Sequence, residues 1–247
     1  MTRIAAVGDI HVGTDSVGLV AAGLRHVAER ADVLLLAGDL TRCGTPDEAE
    51  LVVAELAGVT VPVVAVLGNH DHHADASEEV AAVLRDAGIQ VLDGTPTLVE
   101  AGGAVLGVAG VKGFGGGFAG ACATAFGEQC MKAFVDETRA EAARLHDALV
   151  ELRGRCDRTV ALLHYSPVEE TLRGERLEIY PFLGSHLLAE AIDAAGADLV
   201  VHGHAHHGSE RGVTPGGVRV RNVAQPVIGH AYRVFDLLAP AGERDVA

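Results

Sequence analysis

The chain has 247 residues, room for one generous domain or two small ones and for a sizeable core. Hydrophobic residues make up 49% and aromatic residues 4%, and the 31 glycines are dispersed rather than periodic, which excludes a fibrous or collagen-like chain. A formal net charge of −15 counts against a bulk electrostatic grip on nucleic acid or an anionic membrane, so an anionic substrate needs a local positive feature.

In chain order, Met1-Thr2-Arg3-Ile4 runs straight into an apolar strand, with no signal-peptide layout. Residues 4–7, 33–37, 63–67, 160–163 and 199–201 are apolar runs without polar alternation, which suits parallel strands covered on both faces. Thr45-Pro46-Asp47-Glu48 supplies an N-cap, a proline at the first helical position and a capping-box acid, and Gly58 a stop. Residues 51–67 are greasy, but Glu55, Gly58 and Pro62 interrupt them too often for a membrane span. Ser77-Glu78-Glu79 opens a second helix that ends near Gly88. Strand-like runs without clear helices over 89–111, and again over 218–238, predict extra strands of antiparallel kind. Between them the longest helix, 131–152, places Phe134, Val135, Ala142, Leu145, Leu149 and Leu152 near one face. Ser185 caps another helix, which ends near Gly196. No repeat or linker interrupts this order, and a single α/β domain over residues 1–247 is expected. Cys43, Cys122, Cys130 and Cys156 show no CxxC pairing, so a reduced, cytoplasmic protein is expected.

Each of the five apolar runs ends in residues able to bind metal. The first ends in Gly8-Asp9-Ile10-His11, the second in Gly38-Asp39 and the third in Gly68-Asn69-His70-Asp71. The fourth ends in His164 and the fifth in Gly203-His204-Ala205-His206. Parallel strands would bring these ends to one edge of the sheet, where open α/β sheets place their sites. Any one of these turns is ordinary; five together point to a metal crevice.

The ordered set DxH, GD, GNHD, H, GHxH resembles the calcineurin-like metallophosphoesterase family, over most of the chain from Asp9 to His206. The resemblance implies an α/β fold of two stacked mixed sheets flanked by helices, a four-layer α-β-β-α sandwich. It also implies two divalent metal ions. Asp9, His11, Asp39 and His206 would hold one, and Asp39, Asn69, His164 and His204 the other, with Asp39 bridging and His70 as the catalytic histidine. Two such ions about 3.5–4 Å apart can hold a hydroxide between them and stabilise both oxygens of an in-line displacement. The donors are nitrogen and oxygen without thiolate, which suits manganese, iron, zinc or cobalt and does not choose among them.

One departure narrows the substrate. Protein phosphatases of the family carry GDxxDRG, whereas this chain reads Gly38-Asp39-Leu40-Thr41-Arg42-Cys43-Gly44. Arg42 replaces the Asp that orients the histidine, and Cys43 the Arg that grips phosphate, so the chain is more similar to the small bacterial phosphodiesterase-type members. Gly115 to Gly120 satisfies GxGxxG but does not lead directly into a helix, as a nucleotide fingerprint requires. The surrounding segment 112–130, with Phe114, Phe118 and Phe126 among glycines, suits a flap with apolar tips. His202-x-His204-x-His206-His207 resembles part of a metallo-β-lactamase motif but puts His206 where that motif needs Asp, and it leaves Asp9 and Asp39 unexplained. His72, His73, His202, His207 and His230 read as supporting or exposed rather than as ligands. The expected function is hydrolysis of a phosphodiester or phosphomonoester of a small soluble substrate by attack of a metal-bridging hydroxide. Nucleic acid and membranes are not expected partners, and the oligomeric state is left open. A nuclease of the same fold and a non-catalytic scaffold are the alternatives.

Overall fold

Apolar side chains on both faces of a strand require cover on both, and the chain provides it by building two sheets in turn. In a computed structural model, which describes residues 2–237, β1 (Thr2–Val7), β2 (Val33–Ala37), β3 (Val63–Val66) and β4 (Gln90–Leu92) are parallel neighbours. β5 (Thr95–Ala101) and β6 (Ala104–Val111) form an antiparallel pair that starts the second sheet. A small hairpin follows, β7 (Gly117–Phe118) with β8 (Ala121–Cys122). The second sheet then gains β9 (Arg158–Leu163), parallel to β6, and β10 (Leu199–His202), parallel to β9. β11 (Arg211–Val213) and β12 (Arg219–Asn222) complete it, β12 parallel to β10 and β11 antiparallel at the edge. β13 (Arg233–Leu237) returns antiparallel to β1, giving strand orders 13-1-2-3-4 and 11-12-10-9-6-5.

Helices α1 (Leu19–Leu24), α2 (Val27–Arg30), α3 (Pro46–Leu56), α4 (Ser77–Asp86), α5 (Gln129–Glu151), α6 (Tyr180–Leu183), α7 (His186–Ala195) and α8 (Gln225–Ile228) fill the connections. The Thr45 hydroxyl accepts from Glu48 N, and the Ser185 hydroxyl accepts from Leu187 N, as their sequence positions predict. The period-two alternation of the strands sorts the core into layers. Ala5, Val7, Leu34 and Leu36 pack against Val52, Leu56, Val80 and Leu84 of α3 and α4. Ile4, Ala6, Leu35 and Val64 point the other way and meet Leu106, Val108, Val160 and Leu162 of the second sheet. On the far side Ala161 and Leu163 pack against Leu145 and Leu149 of α5 and Ile192 of α7.

The result is the expected four-layer sandwich of mixed sheets, with one correction. The five strand ends do not share one sheet edge: three belong to the first sheet and two to the second, and they face each other where the sheets meet. The last residue of the expected run 218–238, and the ends of the expected domain, lie outside the described residues.

Candidate metal centre

The loops after β1, β2, β3, β9 and β10 converge. Asp9, His11, Asp39 and His206 each offer one donor atom within 4.8 Å of the others, and so do Asp39, His164 and His204. Asn69 joins the second group: its Oδ1 lies 2.9 Å from His164 Nε2. Asp39 belongs to both and turns one oxygen to each. Its Oδ2 faces His11 Nε2 at 3.8 Å, while its Oδ1 faces His164 Nε2 at 3.3 Å. The side chains of all seven expected donors are therefore brought together.

The backbone is bent to do this. Among the described non-glycine residues, positive φ occurs at Asp9 (60°), His11 (42°), Asp39 (51°), Asp75 (55°) and His204 (69°). Four of these five are donors, and such conformations persist only where surrounding structure imposes them. The loops also pack without room for a β-carbon: one at Gly68 would collide with the Asp39 carboxylate, and one at Gly203 with that of Asp9.

The electrostatics leave negative charge unmatched. Asp9 is 3% and Asp39 1% exposed, and histidines are their only ion-pair partners among the described residues. Burial, reinforced by Asp39, pushes the Asp9 carboxyl up to about 6, although His206 Nε2 lies 2.8 Å from its Oδ1. Contact with Asp9 raises His206. Burial lowers His11, takes His204 down to about 3 and drives His164 well below the usual imidazole range, which favours the neutral form that can donate a lone pair. Supporting carbonyls select the nitrogen that does so. His164 Nδ1–H donates to Ala37 O at 2.9 Å, which leaves Nε2 facing Asp39, and His204 Nε2–H donates to Phe182 O at 3.2 Å. Paired buried carboxylates, neutral imidazoles and an amide oxygen fit divalent first-row ions.

His70 stands beside this cluster, its ring centroid 4.5 Å from that of His11. Its Nδ1–H donates to the carbonyl of Arg42 at 2.8 Å, so a main-chain oxygen occupies the orienting role that the replaced Asp would have had. The Arg42 side chain pairs with Asp15 at 2.5 Å on the surface. His202 is fully buried between Gly203 O and Thr171 Oγ1, and burial takes it down to about 4, which makes it a neutral packing histidine. His72, His73, His207 and His230 are exposed. The first half of the 112–130 segment is pinned rather than free: Gly113 N donates to Glu141, Gly116 N to Pro181 O and Gly117 N to Gly184 O. Phe118 is buried, and only Phe126, 85% exposed, matches the expected apolar tip.

Asp71 carries more than its place in the motif suggested. Fully buried, it accepts from Gly68 N (2.8 Å), Leu40 N (3.2 Å), Thr41 N (2.8 Å) and Thr41 Oγ1 (2.6 Å). It thereby ties the Asp39 loop to the Asn69 loop. The signal was the fourth letter of GNHD, an acid directly beside the motif's Asn69 and His70.

The sequence pattern of the calcineurin-like phosphoesterases matches residues 2–208. The chain belongs to this family. No curated protein sequence matches the chain. Solved structures share the fold at low identity. The phosphopantetheinyl hydrolase of Mycobacterium tuberculosis is 15% identical with a TM-score of 0.70, covering 96% of this chain and 98% of its own. TT1561 of Thermus thermophilus is 19% identical with a TM-score of 0.55, covering 90% and 88%. The anchor protein in the inner membrane complex of Plasmodium is 12% identical with a TM-score of 0.57, covering 91% and 72%. One fold thus serves a hydrolase and an anchor, so the side chains must decide the function.

Proposed function

We propose that this family member is a cytoplasmic, binuclear metal-dependent hydrolase of phosphate mono- or diesters on a small, soluble substrate, acting as a single domain. The observation that carries the reading is Asp39, a buried carboxylate with one oxygen turned to each of two donor groups. Asp9, His11, Asp39 and His206 would hold one ion, and Asp39, Asn69, His164 and His204 the other. Two divalent ions there would supply a water activated at neutral pH and positive charge opposite the phosphate oxygens.

The chain's own groups do the rest. His164 and His204 are held by carbonyls in the tautomers that offer a lone pair. His70 is fixed at Nδ1 by Arg42 O, which leaves its Nε2 to carry a proton to the departing alkoxide. An intact donor set favours catalysis over a scaffold role, because a scaffold has no need of left-handed backbone at four donors.

The test is turnover of bis-p-nitrophenyl phosphate, p-nitrophenyl phosphate, cyclic nucleotides and single-stranded DNA with added Mn²⁺. Turnover of at least one small ester, lost on chelation, is expected. Inactivity on every small ester by protein that has taken up metal would refute the reading.

A further inference from the structure

The chain has six Phe, three Tyr and no Trp, yet four of these rings line up beside the second donor group. Tyr165 lies tilted against His204 with centroids 4.3 Å apart, and Phe114 lies 6.0 Å from Tyr165. Phe134 follows at 5.0 Å from Phe114, and Phe182 at 6.4 Å from Phe134. The series closes on the centre again, because the carbonyl of Phe182 accepts from His204 Nε2.

Of the four rings only Tyr165 belongs to the buried core. Tyr165 is buried, Phe114 and Phe134 are half-buried, and Phe182 is 60% exposed, so the wall opens steadily from the donor group to solvent. The chain also constrains itself to hold them. A β-carbon at Gly115 would stand 2.6 Å from Pro181 O and 3.1 Å from Phe134 Cζ, so glycine lets the loop of Phe114 close against α6 and α5. Lys112 Nζ sits 4.9 Å from the Phe114 centroid and 5.3 Å from that of Tyr165, bracing the inner pair by cation–π attraction.

A wall of ring faces and edges that starts at the reacting centre and ends in water is suited to stacking against a flat ring rather than to enclosing a flexible chain. We infer that the series Tyr165–Phe114–Phe134–Phe182 seats the organic group of the ester and selects a planar aromatic one. The inference rests on the proposed hydrolase reading and names its substrate class: phosphate esters that carry an aryl or heteroaromatic ring next to the phosphate.

Binding of non-hydrolysable phosphonates to the metal-loaded protein, followed by calorimetry, tests it. Phenylphosphonate and cyclohexylphosphonate match in charge and nearly in size but differ in flatness, and methylphosphonate sets the baseline. Stacking beyond simple burial predicts that phenylphosphonate binds several-fold to about tenfold tighter than cyclohexylphosphonate. Phe182→Leu and, separately, Phe134→Leu keep apolar bulk but remove a ring, and each should bring that ratio toward one. Equal or tighter binding of cyclohexylphosphonate by the unaltered protein would overturn the inference while leaving ester hydrolysis intact. So would a phenyl preference unchanged in both leucine variants. Failure to bind any phosphonate, together with no turnover of small esters, would overturn both readings.

Discussion

At the scale of single residues, His70 can be separated from the donors around it. The Arg42 carbonyl fixes its Nδ1 as a donor, so Nε2 is the nitrogen free to act. General-acid assistance contributes ~10²–10⁴-fold, so His70→Ala should lower kcat by that order while metal content stays near normal. The loss should shrink for a nitrophenolate leaving group, which departs with little need of a proton, and grow for an alkyl ester. Equal losses on both would point to an electrostatic role on the phosphate, and a lost ion would make His70 a ligand. The donors themselves were legible because five successive apolar runs each end in Asp, Asn or His, a coincidence that no single run would signal. Their partners were not. Ala37, Arg42 and Phe182 act through main-chain oxygens, which no side-chain identity announces.

At the scale of elements, α5 is tied to the turn after β6 by Glu141, which accepts from Gly113 N at 2.6 Å and pairs with Arg144. Burial raises its carboxyl above the usual range, ahead of the opposing pull of Lys112 and Arg144. Because the folded value is raised, the native state holds the proton longer. The stability this gives is full below the unfolded value near about 4.3 and is lost as pH rises through the folded one. Glu141→Gln keeps an acceptor for Gly113 and cannot ionise, so its stability relative to the parent should improve as pH rises from 4 toward 7. Urea denaturation of both proteins at several pH values reads this directly, and a difference that stays flat with pH would remove the ionisation cost from Glu141. The longer strands and helices of the fold were legible through apolar runs and caps, whereas the short strands β7, β8 and β11 were not, and α5 begins at Gln129, two residues ahead of the expected start. α1 and α2 were missed because Leu19–Leu24 and Val27–Arg30 are too short to show a period. The glycines of 113–117 read as looseness; they are close-packing sites held by α5, α6 and Ser185.

At the scale of the molecule, a net charge of −15 surrounds a centre that would turn positive only on taking up the two proposed ions. Such a protein should act on small esters and bind long polyanions poorly. Tight binding of DNA at physiological salt, with strand cleavage, would promote the nuclease alternative. The two-sheet arrangement was legible only through the resemblance. Apolar runs suggest parallel strands but not which strands share a sheet, and the centre depends on that division, since His164, His204 and His206 come from one sheet and the other donors from its partner. Asp39 sits where the two halves meet and is shared by both donor groups. The most direct test is elemental analysis of the purified, metal-loaded protein beside its Asp39→Ala variant. Two ions per chain in the parent and close to none in the variant are predicted, with nearly all activity lost. Two ions retained in the variant, or a single ion in the parent that survives the substitution, would contradict the shared centre.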